Sequence, residues 1–222
     1  MKKVLVVAPH PDDETLGCGG SLLKHRDNGD EIHWLIITGI SVEEGFTAEA
    51  VSKREKEIEL VANAFRFASI CKLNLPTTKL DTIPTRQIVS DIGKFVQQVE
   101  PEILYLPYRG DIHTDHKYVF DAMMSFTKWF RYDSIRRVLL YETLSETEFG
   151  INPDNNGFRP NVYITIENYV NQKIEIMNIF SSEVGEFPFP RSEESIRALA
   201  AFRGTASGSK AAEAFMLLKE VN

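Results

Sequence analysis

The chain has few of the features that mark secreted, membrane-bound or nucleic-acid-binding proteins. Its 222 residues include only Cys18 and Cys71 as cysteines, too few for a disulfide framework or a paired-cysteine metal site. No apolar run approaches the roughly 20 residues that cross a membrane. The formal net charge of -7 gives no reason to expect binding to nucleic acid or anionic lipid. The opening apolar run, Val4 to Ala8, is shorter than the core of a signal peptide. We therefore expect a cytoplasmic protein without a membrane span.

The composition and the apolar pattern predict one α/β domain over residues 1–222. Hydrophobic residues make up 43% and charged residues 26%, as in ordinary globular proteins. Apolar runs predict strands at 4–7, 32–37, 70–73, 103–106, 138–141 and 162–166. Helical spacing predicts helices at 16–24, 49–67, 88–99, 116–131, 169–180, 193–202 and 210–221. The alternation predicts a mainly parallel, Rossmann-like sheet with helices on both faces. The polar stretch 147–160 is expected to be a loop or lid.

Two polar segments follow predicted strands and hold three of the five histidines. Residues 9–15 read Pro-His-Pro-Asp-Asp-Glu-Thr after the first strand, and residues 111–116 read Asp-Ile-His-Thr-Asp-His after the fourth. Ligands of open α/β sheets bind outside the carboxyl ends of the strands, so both segments can converge on one site there.

The side chains in these segments suit metal-assisted amide hydrolysis. Two histidines and one carboxylate form a familiar zinc set that leaves a position for water. Zinc polarises a carbonyl and lowers the pKa of water towards about 7. A second carboxylate can take the water's proton, and a further histidine can stabilise the oxyanion or protonate the leaving amine.

The two motifs and their order resemble the PIG-L/LmbE-like deacetylase family. The similarity extends to Lys53-Arg54-Glu55-Lys56-Glu57, and to 190–192, 203–204 and 212–215 near the C-terminus. The resemblance implies hydrolysis of the N-acetyl group of an N-acetylglucosamine-type conjugate, a small-molecule substrate. It also implies a zinc cofactor, although the ligand set does not exclude Fe²⁺ or another divalent ion. Similar proteins often form homo-oligomers.

Roles follow from the resemblance residue by residue. It implies that His10, Asp13 and His116 are the metal ligands. Asp12 would be the general base, His113 the general acid or oxyanion stabiliser, and Asp115 the residue that orients or tunes His113. Arg54 stands where family members place an arginine near the far end of the substrate.

Several of these residues have structural alternatives. Asp115 could cap the helix that begins near His116, and Arg54 could lie on a solvated helix face. Arg191 and Arg203 are expected to hold the C-terminal helices through ion pairs, with a direct contact to the ligand as the alternative. Gly17, Gly19 and Gly20, which do not form the dinucleotide-binding pattern, are explained better by close packing of helix against strand. His25 and His33 are expected to be structural, and Cys18 a small buried residue.

One departure from the family and two competing functions remain. Many members carry Thr-Asp-Gly where this chain reads Thr38-Gly39-Ile40, so a substrate contact from that turn is in doubt.

A magnesium- or manganese-dependent phosphoesterase could use the clustered aspartates, although two imidazoles favour a transition metal. A non-catalytic sugar- or nucleotide-binding module would be expected to show a damaged set of site residues, whereas every position here is filled.

Overall fold

A computed structural model describes residues 1–151 and 157–222. Seven strands lie in these ranges: β1 (Lys3–Ala8), β2 (Glu31–Gly39), β3 (Ser69–Pro76), β4 (Ile103–Pro107), β5 (Arg137–Tyr141), β6 (Val162–Thr165) and β7 (Ala212–Glu220). The helices are α1 (Asp13–Asp27), α2 (Ala48–Phe65), α3 (Thr85–Val99), α4 (Thr114–Met123), α5 (Val170–Met177) and α6 (Glu193–Ser207). No helix in the described ranges is long and apolar enough to cross a membrane.

The strands form one sheet in the order β3-β2-β1-β4-β5-β7-β6. The first five strands are parallel, and β7 runs antiparallel between β5 and β6. Each face of the sheet carries its own apolar core. One core packs strand residues against α1, α2, α5 and α6, and the other packs them against α3 and α4. The predicted mainly parallel sheet with helices on both faces is confirmed.

The predicted helix at 210–221 is wrong, because this segment forms β7. It pairs antiparallel with β5 on one side and with β6 on the other. Ala212, Ala214 and Phe215 are buried in the sheet. The segment joins two neighbouring strands, a long-range pairing that outweighs the helix preference of its alanines, leucines and lysines.

The predicted helix at 116–131 is too long. α4 ends at Met123 and continues only as a 3₁₀ turn to Thr127.

Residues 152–156 of the loop expected at 147–160 lie outside the described residues. In the described part of that loop, the ring of Phe158 packs against Tyr108 at 5.3 Å between centroids.

The glycines of α1 allow the helix to approach the strands closely. A Cβ atom on Gly17 would lie 2.2 Å from Cδ2 of Tyr141, and one on Gly20 would lie 2.7 Å from Cγ2 of Ile166. The Gly17 distance confirms close packing of α1 against a strand. Gly20 packs against the residue just beyond β6, and a Cβ on Gly19 would lie 3.2 Å from Cγ of Lys173 in α5, so this glycine faces a helix instead. Cys18 is buried, and burial raises the pKa of its thiol.

Candidate metal centre

The two histidine-bearing segments meet because their strands are neighbours. β1 pairs in parallel with β4, and both strands end at the same edge of the sheet. His10 follows β1, whereas His113 and His116 lie at the start of α4, after β4. The ring centroid of His10 lies 4.3 Å from that of His113 and 5.5 Å from that of His116. The predicted convergence of the two motifs is therefore present.

Asp13 lies between two imidazoles. Its Oδ2 atom is 3.2 Å from Nδ1 of His10 and 3.3 Å from Nε2 of His116. Asp13 begins α1, and its carboxylate also accepts the backbone N–H of His10 at 2.8 Å. The turn at the end of β1 thus fixes the carboxylate and one imidazole relative to each other.

The other nitrogen of each ring faces a second carboxylate. Nε2 of His10 lies 3.2 Å from Oδ2 of Asp115, and Nδ1 of His116 lies 2.7 Å from Oδ2 of Asp111. Asp111 is itself held by the hydroxyl of Thr147, which donates to Oδ1 at 2.6 Å. Histidines that bind a metal commonly donate their second N–H to such a carboxylate, which fixes the tautomer and the ring orientation.

His10, Asp13 and His116 fit a transition-metal ion. Their ligand atoms lie within 4.8 Å of one another. The Nε2 atom of His116 is buried and, although it lies 3.3 Å from Oδ2 of Asp13, makes no hydrogen bond to any described residue, as expected for an atom that binds a ligand. Two imidazoles and one carboxylate suit zinc, iron and related ions.

A second group, His10, His113 and Asp115, also lies within 4.8 Å. In this group Nδ1 of His113 already accepts the backbone N–H of Asp115 at 3.2 Å, whereas Nε2 of His116 in the first group has no hydrogen-bond partner among the described residues. The set built on Asp13 is therefore the better metal site.

Electrostatics favour positive charge at this point. Burial opposes the protonation of His10, but its contacts with Asp115 and Asp13 outweigh it and raise the pKa to about 9. The pKa of His116 rises to about 10, because Asp13 and Asp111 outweigh burial in the same way. The two imidazoles hold the pKa of Asp13 well below its ordinary value, against the effect of burial. The carboxylates around the two rings thus favour positive charge at this point, which a bound cation would also supply.

Asp12 projects beside this cluster from a strained turn. Its φ is 143°, a region that side-chain-bearing residues rarely adopt, and such strain is typical of functional sites. The guanidinium of Arg191 donates to Oδ2 of Asp12 at 2.7 Å. Burial and the neighbouring Asp13 raise the pKa of Asp12 to about 7, although Arg191 opposes the change.

His113 forms the N-cap of α4 and stays neutral. Burial, followed by the charges of His10 and His116, lowers its pKa to about 4. The carboxylate of Asp115 lies closer to His10, at 3.2 Å, than to Nδ1 of His113, at 3.9 Å. The backbone N–H of Asp115, not its side chain, contacts the His113 ring. Asp115 is fully buried in the first turn of α4, and its side chain does not cap the helix.

A cavity of about 230 Å³ opens over these residues. His10, Asp12 and His113 are among the residues that line it. Arg54 of α2 lines the cavity and is not on a solvated face. Its side chain is 16% exposed, donates to the carbonyl of Pro11 at 3.0 Å and pairs with Glu183.

Sequence reasoning missed the outer residues of the site. No role was predicted for Asp111, although it belongs to the second motif. Its position five residues before His116 could have indicated a carboxylate that orients the histidine ring. Arg191 was expected to anchor helices, but it contacts Asp12 and also Glu146 and Glu183. No local pattern predicts this contact, which spans 179 residues.

The other residues with structural interpretations lie apart from the cluster. Arg203 forms a bidentate pair with Glu142 at the end of β5, at 2.8 and 2.6 Å. His25 contacts Asp30 and the hydroxyl of Tyr105, at 2.7 and 3.0 Å.

Comparison with known proteins agrees with this geometry. Residues 5–127 match the family model described as PIG-L, GlcNAc-PI de-N-acetylase. The diacetylchitobiose deacetylase of Thermococcus kodakarensis is 26% identical over 231 residues, covering 96% of this chain and 82% of that protein.

Solved structures show the same fold. The N,N'-diacetylchitobiose deacetylase from Pyrococcus horikoshii superposes with a TM-score of 0.78 at 22% identity, covering 98% of this chain and 84% of that one. The zinc-inhibited form of teicoplanin deacetylase Orf2 gives a TM-score of 0.74 at 18% identity, with 97% of each chain covered.

The matched residues contain both histidine motifs and the strands that bring them together. On these grounds the chain belongs to the PIG-L family of deacetylases.

Proposed function

We propose that this chain is a metal-dependent N-deacetylase that acts on an N-acetylglucosamine-type conjugate, releasing acetate and a free amine. One observation carries the proposal: Oδ2 of Asp13 lies between two imidazole nitrogens whose rings are each held by an outer carboxylate. The family and the diacetylchitobiose deacetylase among its relatives support the amino-sugar class.

His10, Asp13 and His116 would hold the metal. When bound, the ion would polarise the acyl carbonyl and lower the pKa of water. The nitrogen and oxygen donors suit zinc, which we place first. Orf2 has a zinc-inhibited form, so Fe²⁺ is the alternative that metal analysis must test.

Asp12 would act as the general base. Arg191 occupies Oδ2, and Oδ1 has no hydrogen-bond partner among the described residues, so this oxygen is available to take a proton from the attacking water. The same carboxyl group could then deliver that proton to the leaving amine, so that one residue serves both steps.

His113 would stabilise the oxyanion. Its Nδ1 accepts an N–H, so the hydrogen of the neutral ring resides on Nε2. A fixed N–H donor at the cavity wall suits the oxygen of the acyl group as negative charge develops on it. Asp115 would act as a positioning residue, through its backbone on His113 and its carboxylate on His10. Arg54 would contact the sugar from the cavity wall.

Acetate release from a panel of N-acetylglucosamine conjugates tests the proposal. Wild-type protein should release acetate, and both chelation and Asp12→Asn should abolish most of it. Asp12→Asn should retain its metal by elemental analysis, whereas His116→Ala should lose it. Asp91→Asn is the matched control, because Asp91 pairs with Lys94 on the surface.

The outcomes separate the parts of the proposal. Activity that survives chelation and Asp12→Asn would overturn the mechanism. A metal-loaded protein that releases no acetate from any conjugate would move the substrate outside this class.

A further inference from the structure

The pairing of β2 with β3 contains a bulge beside the cavity. Ile36 pairs with Lys72 and Thr38 pairs with Leu75, so one residue of β2 faces two residues of β3. The second of these is Asn74, whose φ is 51°. Asparagine tolerates this left-handed conformation better than most residues. Bulges next to active sites commonly redirect a side chain, and this one places Asn74 in the cavity lining.

The amide of Asn74 occupies the space beside the turn that lacks the family's carboxylate. A Cβ atom added to Gly39 would lie 3.0 Å from Oδ1 of Asn74. Asn74 is exposed, and its side chain has no hydrogen-bond partner in the described part of the chain. An amide in this state offers one acceptor and two donors to a ligand.

The lysine and arginine side chains around Asn74 are already paired with carboxylates, so the cavity offers an anionic ligand no unpaired lysine or arginine among the described residues. Lys72 pairs with Glu55, Arg54 with Glu183, and Arg191 with Asp12. These three are the lysine and arginine side chains that line the cavity within the described residues, and each is paired with a carboxylate. A hydroxyl group, which can both donate and accept, fits the unpaired amide without requiring a free cation.

We propose that Asn74 is a specificity-determining residue that hydrogen-bonds a hydroxyl group of the uncharged sugar portion of the substrate. This inference rests on the proposed deacetylase function. Gly39, at the end of β2, has no side chain, and the side chain of Asn74 on β3 lies beside the space that one would occupy.

Kinetics of Asn74→Gly with a set of deoxy sugars test this role. Glycine removes the amide and tolerates the positive φ, so the variant deletes the contact without backbone strain. With an uncharged N-acetylglucosamine glycoside, kcat/KM should fall by about 10-fold, mainly through KM, as for the loss of one hydrogen bond. With the one deoxy analogue that lacks the contacted hydroxyl, wild type and variant should be equally active. Lys79→Ala, on the neighbouring surface, should match wild type throughout.

A second variant tests the geometry independently. Gly39→Asp should raise KM for the neutral glycoside, because its Cβ would lie 3.0 Å from Oδ1 of Asn74 and displace the amide. In the Asn74→Gly background the same substitution should change KM little, and equal effects in both backgrounds would contradict the role of the amide. A thermal melt of each variant establishes that it is folded.

The outcomes distinguish this inference from the proposed function. If wild-type protein is inactive on every conjugate, the deacetylase proposal fails. If wild-type protein is active and Asn74→Gly stays within twofold of it on all sugars, the role of Asn74 is refuted. A preference for phosphorylated or carboxylated conjugates over the neutral glycoside would refute the assignment of an uncharged partner.

Discussion

Asp111 offers a test of the metal centre that leaves every proposed ligand in place. Its carboxylate accepts the Nδ1–H of His116 at 2.7 Å and the hydroxyl of Thr147 at 2.6 Å, and its side chain is fully buried. Asp111→Asn preserves the size and one acceptor oxygen of the side chain while removing its charge. The variant therefore tests whether this charge makes His116 a better ligand.

The size of the effect follows from the position of Asp111. Removing an outer carboxylate behind a ligating histidine weakens metal binding by about 10- to 100-fold. This corresponds to about 1.4 to 2.7 kcal/mol of binding free energy. We expect the larger value, because the contact is short and shielded from water. The loss should appear in metal affinity and, when metal is limiting, in acetate release.

Competition with a chelator of known affinity, for Zn²⁺ and Fe²⁺ separately, measures the change. Asp121→Asn is the control: Asp121 lies on the same helix as His116 and pairs with Arg109 at the surface, so its metal affinity should equal that of wild type. Asp111→Asn with wild-type affinity for both ions would refute the role of the outer carboxylate. Loss of metal in His116→Ala alone would then leave His116 as a ligand that needs no such support.

Three further predictions concern stability. Gly17→Ala should lower the free energy of unfolding in urea by about 3 kcal/mol, because the new Cβ would lie 2.2 Å from Tyr141; an unchanged midpoint would contradict the packing argument. Lys173→Met should cost about 3 kcal/mol, since it leaves buried Glu213 without its cation at 2.7 Å, and a double variant with Glu213→Gln should recover part of this loss. Burial lowers the pKa of His25 despite its contact with a carboxylate, so its stabilising contribution is present above about pH 6.5 and is lost as the pH falls below that value. His25→Asn should therefore lose less stability than wild type between pH 7.5 and 5.5, and parallel curves would argue against this effect.

The sheet could be predicted where burial leaves a continuous apolar run. Val4 to Ala8 are fully buried in β1, and such a run reads as a strand covered on both faces. β7 could not be predicted this way, because its alanines and leucines favour a helix locally. What determines its structure is pairing with β5 and β6, which lie far away in the chain. Local propensity contains no information about such partners.

The site, too, could be predicted only in part from the sequence. His10 and His116 could be selected because each lies in a polar segment at a strand end. The direction of each ring could not be predicted, since it depends on carboxylates that only the folded chain places beside it. The contact of Arg191 with Asp12 depends on the path of the chain between α5 and α6, for which the motifs offer no information.

The arrangement of outer carboxylates explains why neither motif is sufficient by itself. His10 follows β1, yet the carboxylate behind its ring is Asp115 of α4. His116 belongs to α4, yet the carboxylate that it shares with His10 is Asp13 of α1. Each half of the site thus completes the other across the pairing of β1 with β4. A cation bound there would link both strand ends, and because it binds only the folded arrangement, it would stabilise the sheet at its centre by an amount that grows with the logarithm of its affinity.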